Sequence, residues 1–490
     1  MASQFPQPIS GAQSSIPSSW ALVYTDAVAQ YAQQLWAREL QIPGAPQPVW
    51  NKALIEADVR EEILHLVKEF GRAYRNPYYL NWSCKAYNAF VGGQDGDNDD
   101  FEFNLAALYP PLDNVVESGP ACIVDKRGAI GLFLVPDALM TSRQAKIFES
   151  ITTVNATFEK AKNRPLTKGK SGIWRQGGDL FAPDGAGLQA TPGLATFGIR
   201  QMQGHERGVI ALFLVPDALM TSQQAKIFGS ITTVNATFEK AKNRPLTKGK
   251  SGIWRQGGDL FAPDGAGLQA TPGLATFGIR QMQGHEKPGE DILVAADLGK
   301  AGSPSASSAS QRTAQDWVSQ SLVFGGLMSA ALSMLHPEQY ALSRECMIRL
   351  ALQHPDLESM LKIWPFTFNA LALVSNRATP IHRDRHSGDA DYLDGMCTIG
   401  GDGRVAIEFK GLGFKARYRS GTMAWTSYYM HLHSVSHSPD AERIAFAAYV
   451  KQSVQLDTGL DPPRTPTLSG MKEALIEQIK AQKSKGRVGK

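Results

Sequence analysis

Residues 367–422 read "TFNALALVSNRATPIHRDRHSGDADYLDGMCTIGGDGRVAIEFKGLGFKARYRSGT". The apolar runs are too short for helices and are broken by glycine, which is the signal of an antiparallel β fold. "TFNALALVSN" reads as one strand leading to His382. "GRVAIEF" alternates, with Val405, Ile407 and Phe409 on one face, because successive strand residues point to opposite sides. "GLGF" turns the chain, and "KARYRSGT" carries it to a further turn at Ser420 and Gly421. Beyond it, "MAWTSYYMHLHSV" and "RIAFAAYV" supply two more strands. Short strands with regular turns suggest a sandwich or jelly roll, so the expected class is α+β. Its core is then a double-stranded β-helix of jelly-roll or cupin-like type, with flanking helices and a helical N-terminal region.

Within this stretch His382 and Asp384 form a His-x-Asp pair at the end of a strand run. The chain holds ten histidines, so one such match is unsurprising, and His354-Pro355-Asp356 is a second. That second pair sits in helix-like sequence with no strand run after it. His382 and Asp384 differ in company. Residues two apart on a strand face the same side and can bite one metal. Non-haem Fe(II) oxygenases hold iron with two histidines and one carboxylate on a single face, leaving positions open for an oxidisable co-substrate and O₂. A third ligand must then come from a later strand. His431, His433 and His437 all precede Arg443. His433 is preferred; His431 would project to the same side of a regular strand, and His437 falls in the turn "SHSPD".

In "ERIAFAAYV", Arg443, Ala445, Ala447 and Tyr449 share one face and Ile444, Phe446, Ala448 and Val450 the other. Small residues beside the arginine leave room inside a barrel. A dicarboxylate such as 2-oxoglutarate could pair its far carboxylate with that guanidinium in a bidentate fork.

Working outward, the 490 residues could form two or three domains, and 43% apolar content is enough to bury a real core. The four cysteines, Cys84, Cys122, Cys346 and Cys397, form no CxxC pair, so buried thiols are expected, not a disulfide framework or a cysteine zinc site. No apolar run is long enough to span a membrane, and the N-terminus lacks a secretory pattern, so an intracellular, nuclear protein is expected. The formal charge is only +4, and residues 464–490 alone hold seven Lys/Arg against two Asp/Glu, so the rest of the chain is close to neutral.

The organisation is dominated by a near-identical tandem duplication. Residues 127–206 recur as 207–286 with four differences: Ala129/Val209, Gly131/Ala211, Arg143/Gln223 and Glu149/Gly229. Loop and surface residues are kept as faithfully as apolar ones, unlike a solenoid, so one copy is expected to be surplus. Residues 1–120 are expected to be mainly helical, with amphipathic helices at 19–40 and 52–76. Residues 298–316 read as a linker or long loop, 317–452 as the oxygenase core and 453–490 as a basic, disordered tail. Residues 160–175 carry six basic residues and Trp174 with no acid, a composition that suits a nucleic-acid backbone or a solvated loop.

"NALALVSNRATPIHRD", "CTIGGDGRVAIEFKGLGFKARYRSGT" and "LHSV…ERIAFAAYV" resemble the oxygenase domain of fungal TET/JBP-like 2-oxoglutarate and Fe(II)-dependent dioxygenases, many of them transposon-associated and from basidiomycetes. The resemblance spans about residues 320–452 and extends more weakly through "GPACIVDKRGAIGLFLVPDALM" and "PGLATFGIRQMQGHE". It implies His382, Asp384 and His433 as Fe(II) ligands and Arg443 as the 2-oxoglutarate anchor. It also implies Asn376 as a cofactor- or substrate-side residue. The activity implied is hydroxylation of the methyl group of 5-methylcytosine or thymine in DNA, with the base flipped out of the stack. A catalytically inactive relic of the fold, or an oxygenase with a different substrate, are the other readings. Two features depart from the family pattern: Ser434 follows the distal histidine, where glycine is usual, and Gly395 stands where a larger apolar residue is expected.

Overall fold

The computed structural model describes residues 20–91, 99–113, 115–117, 119–151, 273–281, 292–294, 298, 309–375, 379–384, 387–401, 403–436 and 443–488. Asn376, Arg385, His386, His437, residues 160–175 and most of both repeat copies lie outside these described residues.

Helices α1 (Ala21–Glu39) and α2 (Ala57–Arg75) open the chain, with α3 (Cys84–Val91) and α4 (Asp99–Leu108) after them. Helix α5 is Thr141–Ile151; α6 (Ala309–Gln320), α7 (Leu322–Leu335), α8 (Pro337–Gln353) and α9 (Glu358–Ile363) precede the strand-rich part. The chain closes with α10 (Gln452–Asp457) and α11 (Leu468–Val488). Helix α7, "LVFGGLMSAALSML", is apolar all round, so it is stable only when enclosed; all twelve residues from Phe324 to Leu335 are buried.

The strands are β1 (Tyr78–Tyr79), β2 (Val115–Glu117), β3 (Ala121–Val124), β4 (Ile130–Val135), β5 (Gly273–Gln281), β6 (Ile292–Val294) and β7 (Ala370–Ser375). Then come β8 (Thr379–His382), β9 (Asp394–Gly400), β10 (Ala406–Phe409), β11 (Phe414–Arg417), β12 (Met423–Thr426), β13 (His433–Val435) and β14 (Arg443–Tyr449). Among the described residues they form a nine-stranded sheet, β1-β3-β4-β12-β9-β14-β7-β5-β6, and a five-stranded sheet, β2-β11-β10-β13-β8. Pairing is antiparallel except β1 with β3 and β2 with β11. The class is therefore α+β with mixed sheets.

Strand alternation assigns each face of the large sheet a neighbour. Cys397, Ile399, Met423, Trp425, Ile444, Phe446 and Ala448 share one core with the helices, including Phe324, Leu327 and Met328 of α7. The alternate residues Met396, Ala424 and Ala447 pack instead with Val405, Ile407, Phe409, Phe414 and Val435 of the small sheet and its loops. The layers run helices, large sheet, small sheet. Gly395 fits this arrangement: a Cβ there would lie 2.5 Å from the Trp425 indole and 2.9 Å from Met328 Cε, so the indole occupies the space a larger residue would need.

Both repeat copies contribute to the large sheet. Strand β4 and helix α5 come from residues 127–206, whereas β5 comes from 207–286 and pairs with β7 from Gly273↔Ser375 to Gly278↔Ala370. One of the four differing positions matters for packing. Arg143 is buried and its Nε donates to Glu62 at 2.8 Å, with a second contact to Asp58 at 3.2 Å. Gln223, its counterpart, has no charge with which to compensate a buried Glu62.

Three expectations are corrected. Residues 453–490 carry α10 and α11, because Met471, Leu475 and Ile479 recur at helical spacing and are buried. The 298–316 segment is not loop throughout, since α6 begins at Ala309 and delivers Trp317 and Val318 to the core. Finally, "MAWTSYYMHLHSV" is not one strand: β12 ends at Thr426, and a turn in which Ser427 O accepts from Met430 N and His431 N separates it from β13.

Candidate metal centre

The ladder between β8 and β13 sets the first two donors. His382 ends β8 and stands directly opposite His433, the first residue of β13, with a register irregularity before the next pair, Val435↔Thr379. Their imidazole centroids lie 4.3 Å apart. Asp384 lies two residues beyond the strand end, and its backbone N–H donates to Tyr428 O at 2.9 Å, which fixes the backbone that carries the carboxylate. Asp384 Oδ1 is 3.4 Å from His382 Nε2, and Oδ2 is 3.7 Å from His433 Nε2. One donor atom from each residue falls within 4.8 Å of the others, and among the described residues this is the group so arranged. Both histidines are buried and Asp384 is partly exposed, so the cluster opens toward solvent on its carboxylate side.

The donor set suits a divalent transition metal. His433 Nδ1 lies 3.2 Å from His431 O, so an Nδ1–H donates to that carbonyl and leaves the Nε2 lone pair facing Asp384 and His382. The ring is also confined by Tyr428, with centroids 4.6 Å apart and edge-on. Two imidazoles and one carboxylate on one face, with an open side, match the facial arrangement that binds Fe(II).

His431 does not join this group. The turn at 427–431 turns it away from the β13 face, and it is fully buried with its ring 5.6 Å from Tyr87. Neither ring nitrogen finds a hydrogen-bond partner among the described residues, and burial pushes its pKa down to about 3, so it is a neutral core histidine. His354 of the second His-x-Asp pair caps α8 and faces Asp457 at 3.7 Å, and among the described residues it belongs to no such cluster.

Arg443 begins β14 on the face turned toward the small sheet. It is buried, its guanidinium carbon lies 5.7 Å from the Tyr418 ring, and Nη1 reaches Thr398 Oγ1 at 3.5 Å. Burial lowers its basicity from the ordinary arginine value, yet a guanidinium stays cationic in proteins. Two hydroxyls in this part of the fold, Tyr418 OH and Thr422 Oγ1, are buried and find no partner among the described residues. Thr422 is tied to Thr398 through its carbonyl, which accepts from Thr398 N at 3.0 Å. A buried cation in the same part of the fold as these two hydroxyls suits a carboxylate, which could accept from them as well as meet the charge. The sequence pattern did not flag Tyr418 or Thr422; a Tyr flanked by two arginines in "KARYRSGT" reads locally as a surface strand.

Asp389 is half-buried and accepts from Gln452 Nε2 at 2.7 Å, so it pins the loop after His382 to α10. The four cysteines are all buried and free.

No protein-family model matches this chain, and no curated protein does. No helix among the described residues is long and apolar enough to cross a membrane. Among solved structures, one described as NgTET1 in complex with 5mC DNA aligns with 81% of this chain and 92% of its own at 11% identity; its TM-score of 0.34 is too low to carry an argument.

Proposed function

We propose that this chain is an Fe(II)/2-oxoglutarate-dependent dioxygenase on a double-stranded β-helix, hydroxylating the methyl group of 5-methylcytosine or thymine in DNA. The observation that supports the oxygenase most is the convergence of His382, Asp384 and His433 from two paired strands and the loop after them. The choice of a methylated base rests on the sequence resemblance, and the same reading would place the protein in the nucleus with its substrate.

In this reading His382 Nε2, His433 Nε2 and one Asp384 oxygen hold the metal. When bound, an Fe(II) centre of this kind couples decarboxylation of 2-oxoglutarate to succinate and CO₂ with insertion of one oxygen atom of O₂ into a C–H bond. The protein's share is placement. Arg443 fixes the far carboxylate of the co-substrate, with Tyr418 OH as an added donor, and its burial keeps water from competing for that pair. The Nδ1–H of His433, held by His431 O, leaves Nε2 as the unprotonated nitrogen that a metal needs. The exposed side of Asp384 leaves an approach for a flipped base.

The test is a turnover assay with Fe(II), 2-oxoglutarate and duplex DNA with or without 5-methylcytosine, reading succinate and oxidised base together, beside His382→Ala. Equal amounts of both products, lost in the variant, are expected. Succinate without oxidised base would sink the DNA reading and favour another substrate, and neither product would favour an inactive relic.

A further inference from the structure

The residue between the two ligands of the His-x-Asp pair makes contacts that a strand residue has no need of. The Arg383 side chain has no solvent exposure. Its Nε donates to Met430 O at 2.8 Å, in the turn that leads into His433. Its Nη2 donates to Glu102 Oε2 at 3.0 Å and to Tyr87 OH at 3.2 Å, while Nη1 pairs with Glu102 Oε1. Glu102 belongs to α4 and Tyr87 to α3, so one guanidinium joins both ligand-bearing segments to the N-terminal helices.

The joint is rigid on its far side. Tyr87 stacks on Trp82 at 4.9 Å and meets Tyr109 edge-on at 5.4 Å. Its ring also lies beside His431, whose carbonyl holds His433 Nδ1. The strand ladder cannot supply this rigidity, because β8 and β13 pair at two positions only, with an irregularity between them. A buried guanidinium costs free energy unless a carboxylate and further acceptors meet it, and here a planar fork meets a carboxylate in two-pronged fashion.

We propose that Arg383, clamped by Glu102 and Tyr87, is the positioning residue of the metal centre: it locks segment 382–384 to segment 430–433 and makes α3 and α4 part of the site's framework. Arg383 acts through the backbone on which His433 is carried, by way of Met430 O. Groups that orient metal ligands in this way typically cost about 10- to 100-fold in metal affinity when removed. The inference rests on the metal-centre reading.

The test uses Co(II) titration of the full chain, followed by visible absorption, with wild type, Arg383→Met, Arg383→Lys, Glu102→Gln and His382→Ala. Far-UV circular dichroism checks folding. Expected are one Co(II) per chain in the wild type, affinity about 10- to 100-fold weaker in Arg383→Met with an altered ligand-field spectrum, and a smaller loss in Glu102→Gln. Arg383→Lys should recover part of the affinity, since an ammonium restores the charge but not the fork. Glu102→Gln keeps the shape of α4, so it decides the matter should Arg383→Met fail to fold. Folded variants that lose thermal stability but bind Co(II) with wild-type affinity and spectrum would overturn the proposal. A wild type that binds no Co(II), like His382→Ala, would instead bring down the metal centre itself, and this inference with it.

Discussion

Neighbouring residues of β14 belong to two different regions of the molecule. Ile444, Phe446 and Ala448 enter the core shared with the helices, and Phe446 meets the Phe324 ring at 4.7 Å. Arg443 and Ala447 face the small sheet, where Tyr418, Tyr428 and the metal-binding candidates gather. On β9 the same division puts Cys397 and Ile399 on the helix side and Thr398 beside Arg443. One face is filled with large apolar side chains. The other, beside the large apolar Met396, carries Arg443, Thr398 and alanines on β14 and β12. The two-residue period of a strand thus separates what holds the fold together from what can do chemistry, within a few ångströms of backbone.

Substitutions on the two faces should therefore fail in different ways. Phe446→Ala is expected to cost about 3–5 kcal/mol of stability, read from urea midpoints, while folded protein keeps its metal affinity. Arg443→Met should act chiefly on binding: it removes the guanidinium while the apolar side chains on the other face of β14 stay in place. Losing the partner of a buried carboxylate should weaken 2-oxoglutarate binding by about 10²-fold. Equal stability losses in the two variants would break the comparison.

The helix side also contains one ion pair that the repeat makes testable. Arg143→Gln installs the residue found at 223 and leaves Glu62 buried without its cation; burial already holds the Glu62 pKa above the ordinary value. A loss of about 3 kcal/mol is expected.

A smaller effect concerns pH. His336 is buried where α7 meets α8, donates from Nε2 to Asp391 O at 3.2 Å, and has its pKa pushed down to about 4 by burial. Its folded pKa lies below the unfolded value of about 6.5, so the unfolded chain takes up the proton first as pH falls. The stability it contributes is present above pH 6.5 and is lost toward pH 4. Between pH 7 and pH 5 the wild type should lose about 2 kcal/mol relative to His336→Gln, measured as the difference between their urea midpoints.

The smallest expected effect is that of removing residues 153–232, which deletes one repeat length while retaining Arg143, α5 and β5. Every contact described above survives this deletion. An unchanged unfolding midpoint and metal affinity would support a surplus copy, and a large loss of either would show that both copies are needed.

Much of the fold around the candidate site could be read from the chain. The alternation in "GRVAIEF" and "RIAFAAYV" assigned faces that the two cores reproduce, and the first two amphipathic runs became α1 and α2. What could not be read depends on contacts between distant residues. His431 and His433 look equivalent on a regular strand; they part only because Ser427 O draws the chain into a turn before β13. The clamp on Arg383 joins residues 281 positions apart, which no local pattern reveals. The helix α11 was hidden by composition: its lysines suggested a solvated tail, although Met471, Leu475 and Ile479 already formed an apolar stripe.

The most direct test of the metal centre is equilibrium Fe(II) or Co(II) binding to wild type and to His382→Ala, Asp384→Ala, His433→Ala and His431→Ala. The expected result is one ion per chain in the wild type, binding abolished in the first three variants and retained in His431→Ala. Loss of binding in His431→Ala with retention in His433→Ala, or no binding by the wild type, would contradict the assignment of His382, Asp384 and His433 as the metal ligands.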